Sequence, residues 1–158
     1  MVIGTVENPP LQGTVADMLA LKGTTIYAVA PDATVYEAIE RMDEWHVGAL
    51  LVMRGDELVG IVSERDYTRK VILLGRSSKE TLVEEIMTTG VIALRSDTSL
   101  GECLRVVTER RIRHLPVLDA AGKVVGVLSI GDLVRAVVAQ QAETINTLRL
   151  FIGSDYPT

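Results

Sequence analysis

Two short stretches carry the residues best suited to chemistry. Gly60-Ile-Val-Ser-Glu-Arg-Asp66 and Gly126-Val-Leu-Ser-Ile-Gly-Asp132 share one pattern: glycine, two apolar residues, serine, two variable residues, aspartate. At neutral pH a carboxylate offers two acceptor oxygens and no donor. The cis 2′- and 3′-hydroxyls of a ribose offer two donors at a matching separation, so Asp66 and Asp132 are candidate ribose ligands. Ser63 and Ser129 stand where a helix would open. Such an N-terminus attracts phosphate, and the serine hydroxyl can bond ribose or phosphate. Ser-x-x-Asp also resembles a helix capping box, a purely structural role that would account for a single occurrence. Its appearance at corresponding points of two copies fits a second role. A phosphate placed directly on the aspartate would be repelled, which favours ribose there.

Basic residues suggest where phosphate would go. Arg65, Arg69 and Lys70 follow Ser63, and Arg65 and Arg69 are four apart, on one face of a helix. Arg110, Arg111, Arg113 and His114 form a second cluster. Guanidinium forks suit phosphate oxygens, so Arg65, Arg69, Arg113 and His114 are candidate phosphate ligands. The bland alternative is that these arginines solvate a surface. Both clusters serve the site of Asp66. The site of Asp132 has Ile130 and Gly131 where the other has Glu64 and Arg65, so the two are expected to differ in affinity or ligand. No catalytic residue is assigned. The sequence has no nucleophile elbow, no phosphate-binding P-loop and no His/Cys metal set. His46 and His114 lack a metal-ligand spacing, and Cys103 is alone, so neither an internal disulfide nor a cysteine-rich metal site forms.

The elements that position these residues follow from an internal repeat. Asp32-Ala-Thr-Val-Tyr-Glu-Ala-Ile recurs 65 positions later as Asp97-Thr-Ser-Leu-Gly-Glu-Cys-Leu. After the first apolar run the offset becomes 66, and the slip falls where Arg54-Gly-Asp-Glu faces the longer Asp119-Ala-Ala-Gly-Lys. Extra residues are tolerated best in a surface turn, so each copy contains a hairpin. Thr34 and Ser99 are expected N-caps. Val35, Ala38, Ile39 and Met42, and then Leu100, Cys103, Leu104 and Val107, fall on single helical faces. The runs 49–53 and 58–62 read as the hairpin strands of the first copy. A helix from Ser63 to about Leu74 closes it, and one from Ser129 toward Ala142 closes the second. Extended segments near Thr25–Val29 and Val91–Leu94 supply a first strand each. The fold class is therefore α/β (α+β): two tandem β-α-β-β-α motifs packed about a pseudo-two-fold axis, with two related clefts where they meet. The expected segments are an N-terminal extension 1–14, motifs 15–78 and 79–142, and a C-terminal helix or tail 143–158.

The two glycine-to-aspartate stretches resemble the signature of the cystathionine β-synthase (CBS) domain pair, or Bateman module. So do Arg113-His-Leu-Pro-Val-Leu-Asp119 and the paired Val29-Ala-Pro-Asp32 and Leu94-Arg-Ser-Asp97. The resemblance runs from about Val15 to Ala142. It implies a sensor that binds AMP, ATP, NAD or S-adenosylmethionine, with adenine gripped by one motif and ribose held by the aspartate of the other. Carried over by position, one cleft would use Lys22, Thr25, Tyr27, Val47, Gly48 and Ala49 with Ser129 and Asp132. The other would use Met87, Gly90, Ile92, Ile112, Arg113 and His114 with Ser63 and Asp66. The resemblance implies that such modules regulate a partner enzyme, channel or transcription factor, which here would act in trans or be lost from view. The competing readings are an enzyme acting on the bound nucleotide and a dimerisation module with empty clefts.

Composition bounds the partners. The chain of 158 residues is 47% hydrophobic but only 4% aromatic, which suits helix-covered sheets of Val, Leu, Ile and Ala. A net charge of −5 argues against a nucleic-acid partner. No secretory leader is read at the N-terminus, and no apolar run approaches the roughly 20 residues that span a bilayer. A cytoplasmic protein without a membrane partner is expected. Val71 to Leu74, Leu133, Val134, Val137 and Val138, and Ile145, Leu148, Leu150, Phe151 and Ile152 exceed what one chain's helices can bury. A homodimer is the expected outcome, with Thr144 to Ile152 helical and packed on the partner or on its own module.

Overall fold

The computed structural model describes residues 11–155. The expected 1–14 extension therefore lies largely outside the described residues. Two three-stranded sheets carry the fold, each with a parallel first strand beside an antiparallel hairpin. In chain order the elements are α1 (Val15–Lys22), β1 (Ala28–Val29), α2 (Val35–Trp45), β2 (Ala49–Arg54), β3 (Glu57–Ser63) and α3 (Glu64–Tyr67). There follow α4 (Val83–Ile86), β4 (Leu94–Arg95), α5 (Leu100–Arg110), β5 (His114–Leu118), β6 (Val124–Ser129) and α6 (Ile130–Asp155). The β-α-β-β-α order is thus written twice, with a short helix ahead of each copy.

The repeat extends to fine detail. Thr34 and Ser99 cap α2 and α5 by accepting from Glu37 N–H and Glu102 N–H. Both helices end on a left-handed residue, His46 and Arg111. Both hairpins shift register at the same point, between Val52 and Met53 and between Val117 and Leu118. The extra residues of the second copy lie in the hairpin turn, where the Asp119 carboxylate accepts from Ala121 and Lys123 N–H. One helical face is narrower than its spacing suggests. Leu100, Cys103 and Val107 are buried, while Leu104 is exposed at the flank of α5. Burial pushes the Cys103 thiol up to about 11, which leaves it an inert core residue.

The cores exchange their leading helices. α1 contributes Val15 and Leu19 to the core of the second sheet, and α4 contributes Val83 and Ile86 to the core of the first. Reciprocal caps fix the exchange. Val15 N–H donates to Thr98 O while Leu100 N–H donates to Gly13 O; Val35 N–H donates to Thr81 O while Val83 N–H donates to Ala33 O. Donors that a helix start would leave unpaired are satisfied in pairs across the copies.

The signature glycines record the same exchange. A side chain at Gly60 would stand 2.7 Å from Met87 Sδ and 2.9 Å from Thr88 O, and one at Gly126 2.7 Å from Leu19 Cδ2. Thr88 O is backbone, held by its bonds to Ile61, whereas Leu19 can rotate. Gly60→Ala is therefore expected to cost about 1–3 kcal/mol by overpacking, and Gly126→Ala less. Urea unfolding of both variants checks the order, and equal midpoints would discount the backbone clash.

Three expectations change. The helix after Ser63 is not α-helical to Leu74: after Tyr67 the chain takes a π turn over Thr68–Ile72, with Leu73 N–H donating to Thr68 O. The closing helix does not stop near Ala142, because α6 runs unbroken to Asp155 and includes the tail. Pro116, for which the sequence allows an edge or a ligand-facing position without a ladder hydrogen bond, lies not on an edge but in the central strand β5. It is tolerated because β4 pairs only with Val117 and Leu118, so no ladder donor is needed at 116. At the corresponding place in the first copy Leu51 N–H donates to Tyr27 O.

Candidate functional site

Two clefts open between the copies. The first, about 400 Å³, is lined by all eight residues expected for it: Lys22, Thr25, Tyr27, Val47, Gly48, Ala49, Ser129 and Asp132. The second, about 470 Å³, is lined by Ser63, Asp66, Gly90, Ile92, Ile112, Arg113 and His114 of its expected set, and by Arg65. Both volumes suit a nucleotide-sized ligand. Each cleft takes a wall from the approach to β1 or β4, a wall from the start of β2 or β5, and a floor from the helix after the other hairpin.

Two expected residues are not brought in. Met87 does not line the second cleft; its side chain lies over Gly60 and packs against the first core. Arg69 is exposed outside the lining. Arg69 stands one turn beyond Arg65, at the start of the π turn, where its side chain is exposed and the cleft does not reach it. Arg135 went unread in the sequence, His46 was named there without a place in a cleft, and Arg111 was read in the basic cluster at the site of Asp66 without being named a ligand. His46 and Arg135 line the first cleft and Arg111 the second. His46 and Arg111 are the left-handed helix ends at equivalent points of the repeat, a signal the repeat offsets carried.

Both aspartates make the capping box. Asp66 Oδ2 accepts from Ser63 N–H at 2.9 Å and Oγ at 3.0 Å, and Asp132 Oδ2 accepts from Ser129 N–H at 2.7 Å and Oγ at 3.0 Å. Each serine Oγ in turn accepts the N–H of its aspartate. The capping role is therefore present twice, and it uses one carboxylate oxygen. The other oxygen faces a cation. Lys70 Nζ is 3.1 Å from Asp66 Oδ1, and Arg135 Nη2 is 2.5 Å from Asp132 Oδ1.

Asp132 is the more enclosed of the two. Lys22, at the end of α1, places Nζ 2.6 Å from Asp132 Oδ2 and 2.7 Å from Val127 O. This joins the exchanged helix to the hairpin and the start of α6. Burial pushes the Asp132 carboxyl up, but the bonds from Lys22 and from Ser129 N–H outweigh it and hold the group below its ordinary range. His114 moves the same way: burial, then the nearby Lys22 and Arg113 charges, lower it and keep the ring neutral.

Both shifts bear on stability in one direction. A depressed folded value means a contribution that is complete above the unfolded value and is lost as the pH falls through the folded one. For His114 the loss begins below about pH 6.5, and for Asp132 below about pH 3.9. The urea midpoint is expected to fall between about pH 7.5 and about pH 5, and less steeply in His114→Asn. Identical pH slopes in the two proteins would remove His114 from the account.

His114, Gly48 and Ile61 line both clefts, which meet back to back. The position matching His114 in the first copy holds Ala49, so the shared wall is asymmetric. The charges differ too. The first cleft has Lys22, His46, His114 and Arg135 around one aspartate; the second has Arg65, Arg111, Arg113 and His114 around Asp66 and Glu64. Among the described residues no group of three or more His, Cys, Asp or Glu could hold a metal ion. No helix there is long and apolar enough to cross a membrane.

Comparison with known proteins agrees with this geometry. The CBS domain family model matches residues 21–72 and 83–139. The CBS domain-containing protein CBSX3, mitochondrial, of Arabidopsis thaliana is 40% identical over 152 residues, 90% of this chain and 73% of its own length. A solved CBS-domain structure from Burkholderia ambifaria superposes with a TM-score of 0.78 at 53% identity, covering 82% of this chain and 96% of that one. The Arabidopsis thaliana CBSX2, solved in complex with AMP, superposes with a TM-score of 0.67 at 30% identity, covering 82% of this chain and 99% of that one.

Proposed function

The chain belongs to the CBS-domain family, and from that premise we propose that it is a regulatory module binding AMP, ATP or NAD in its two clefts without chemical turnover. The observation that carries the reading is the first cleft. The eight residues that the family resemblance implies for it, spread from Lys22 to Asp132, line one cavity of about 400 Å³. In this reading adenine lies against Tyr27, Val47 and Ala49, and the ribose reaches Ser129 and Asp132. The CBSX2 complex with AMP supports adenine nucleotides as the ligand class.

The aspartates are poor general bases here. Each spends one oxygen on a cap and meets a cation on the other. Ligand entry instead calls for an exchange of charges. Arg135, whose side chain is 73% exposed, leaves Asp132 to the ribose hydroxyls and turns to the phosphate. In the second cleft Lys70 leaves Asp66, with Arg65, Arg111 and Arg113 near the phosphate.

Thermal shift and titration calorimetry with AMP, ATP, NAD and S-adenosylmethionine test the proposal. A ligand at a hundred times its dissociation constant is expected to add about 2.7 kcal/mol. No shift with any of them would leave a dimerisation module with empty clefts. Chromatographic detection of a nucleotide product would make the protein an enzyme.

A homodimer belongs to the same proposal. Ile72 at the end of the π turn, Leu73 and Leu74 after it, and Val134 and Val138 on α6, are exposed. A regulated partner acting in trans is proposed as well. So is a cytoplasmic location, which fractionation would test, since CBSX3 and CBSX2 carry mitochondrial and chloroplastic labels.

A further inference from the structure

α6 continues well past the module. The family match ends at residue 139, while the helix runs to Asp155 and residues 141–150 are all exposed. On this helix Val134, Val138, Gln141, Ile145, Leu148 and Ile152 follow one another at intervals of 4, 3, 4, 3 and 4. That is the heptad spacing that keeps one face of a helix against a partner helix. The five apolar members are 49 to 59% exposed, so nothing among the described residues covers them.

We propose that this stripe is a seam for the same helix of a second copy, paired parallel and in register. The inference rests on the homodimer reading and names the contact that makes it. Residue types select the occupant. β-Branched Val138, Ile145 and Ile152 fill one seam position throughout, and Val134, Gln141 and Leu148 share the other; the β-branched row beside leucine at 148 is an arrangement that favours two parallel strands. Gln141 is the single polar seam residue. Its amide carries both donors and an acceptor, and it meets its own kind only when the helices are in register. Charge agrees. Arg135 and Arg149 flank the same side of the seam. A parallel pair sets that side against the one bearing Val137 and Thr144. An antiparallel pair would set Arg135 beside the partner's Arg149.

The seam spans about 27 Å at 1.5 Å per residue. At fewer than three heptads it is short for a coiled coil standing alone. It therefore adds to contact between the modules and tightens it.

The test uses the full chain. Sedimentation equilibrium is expected to give twice the 17.2 kDa chain mass. The double variant Ile145→Asp with Leu148→Asp is expected to raise the dimer dissociation constant at least about thirty-fold, with Trp45 fluorescence unchanged to show the module folded. Ile145→Cys is expected to oxidise to a covalent dimer, and Glu143→Cys, on the outer face, is not. Cys103 is buried and stays out of this reaction. If the double variant dimerises as tightly as the parent, the seam is overturned and the homodimer stands. If the parent itself stays at 17.2 kDa, both fall. If Ile145→Cys stays reduced while Val138→Cys mixed with Leu148→Cys cross-links, the pairing is antiparallel and the proposal is wrong.

Discussion

Asp132→Ala is expected to weaken nucleotide binding in the first cleft roughly 10- to 150-fold, the 1.5–3 kcal/mol of a hydrogen bond to a charged group. Two losses combine. The ribose hydroxyls lose their acceptor, and Lys22 and Arg135 lose the anion that holds them at the cleft. Folding is expected to suffer less, by about 1–2 kcal/mol, the range for a lost helix cap. Lys22 and Arg135 both reach solvent, so neither is left as a buried unpaired charge. Asp66→Ala is expected to do the same to the second cleft alone. Titration calorimetry that resolves both sites separates the two variants. Unchanged binding with a lowered melting point would reduce the aspartates to caps.

Leu133→Ala is expected to destabilise the protein by about 2–5 kcal/mol. Leu133 is fully buried in the second core, directly after Asp132. Truncation opens a cavity beneath the first turn of α6, where Asp132 and Arg135 are set. The control is Leu150→Ala on the same helix; Leu150 is 77% exposed, and its loss is expected to stay within about 0.5 kcal/mol in the monomeric module. Urea unfolding at an unchanged slope checks both values. A loss below about 1 kcal/mol at Leu133 would mean that α6 is held by its cap and not by its core contact.

The sequence determined what local chemistry and repetition can determine. The offset between copies located the hairpins, the slip located the turn, and Ser-x-x-Asp located two helix starts together with the aspartates that face the clefts. Apolar spacing chose the buried faces of α2 and α5, apart from Leu104. These readings depend on residues within a few positions of one another, or on a direct match between copies. Tertiary structure decided the rest. The exchange of α1 and α4 between cores has no local signal, because Val15 and Leu19 would suit either sheet and only the reciprocal caps select the second. That exchange carries Lys22 to Asp132, 110 positions away, and makes the first carboxylate more enclosed than the second. Arg69 was lost because the cleft ends one turn short of it along the helix, and Met87 to a gap above Gly60 that exists only once the sheets are packed. Arg135 came into its cleft through the rotation of a helix, and Arg111, read from the sequence only as a member of a basic cluster, through a left-handed helix end. A charge in the sequence becomes a ligand only when the packed backbone sets the direction in which it points.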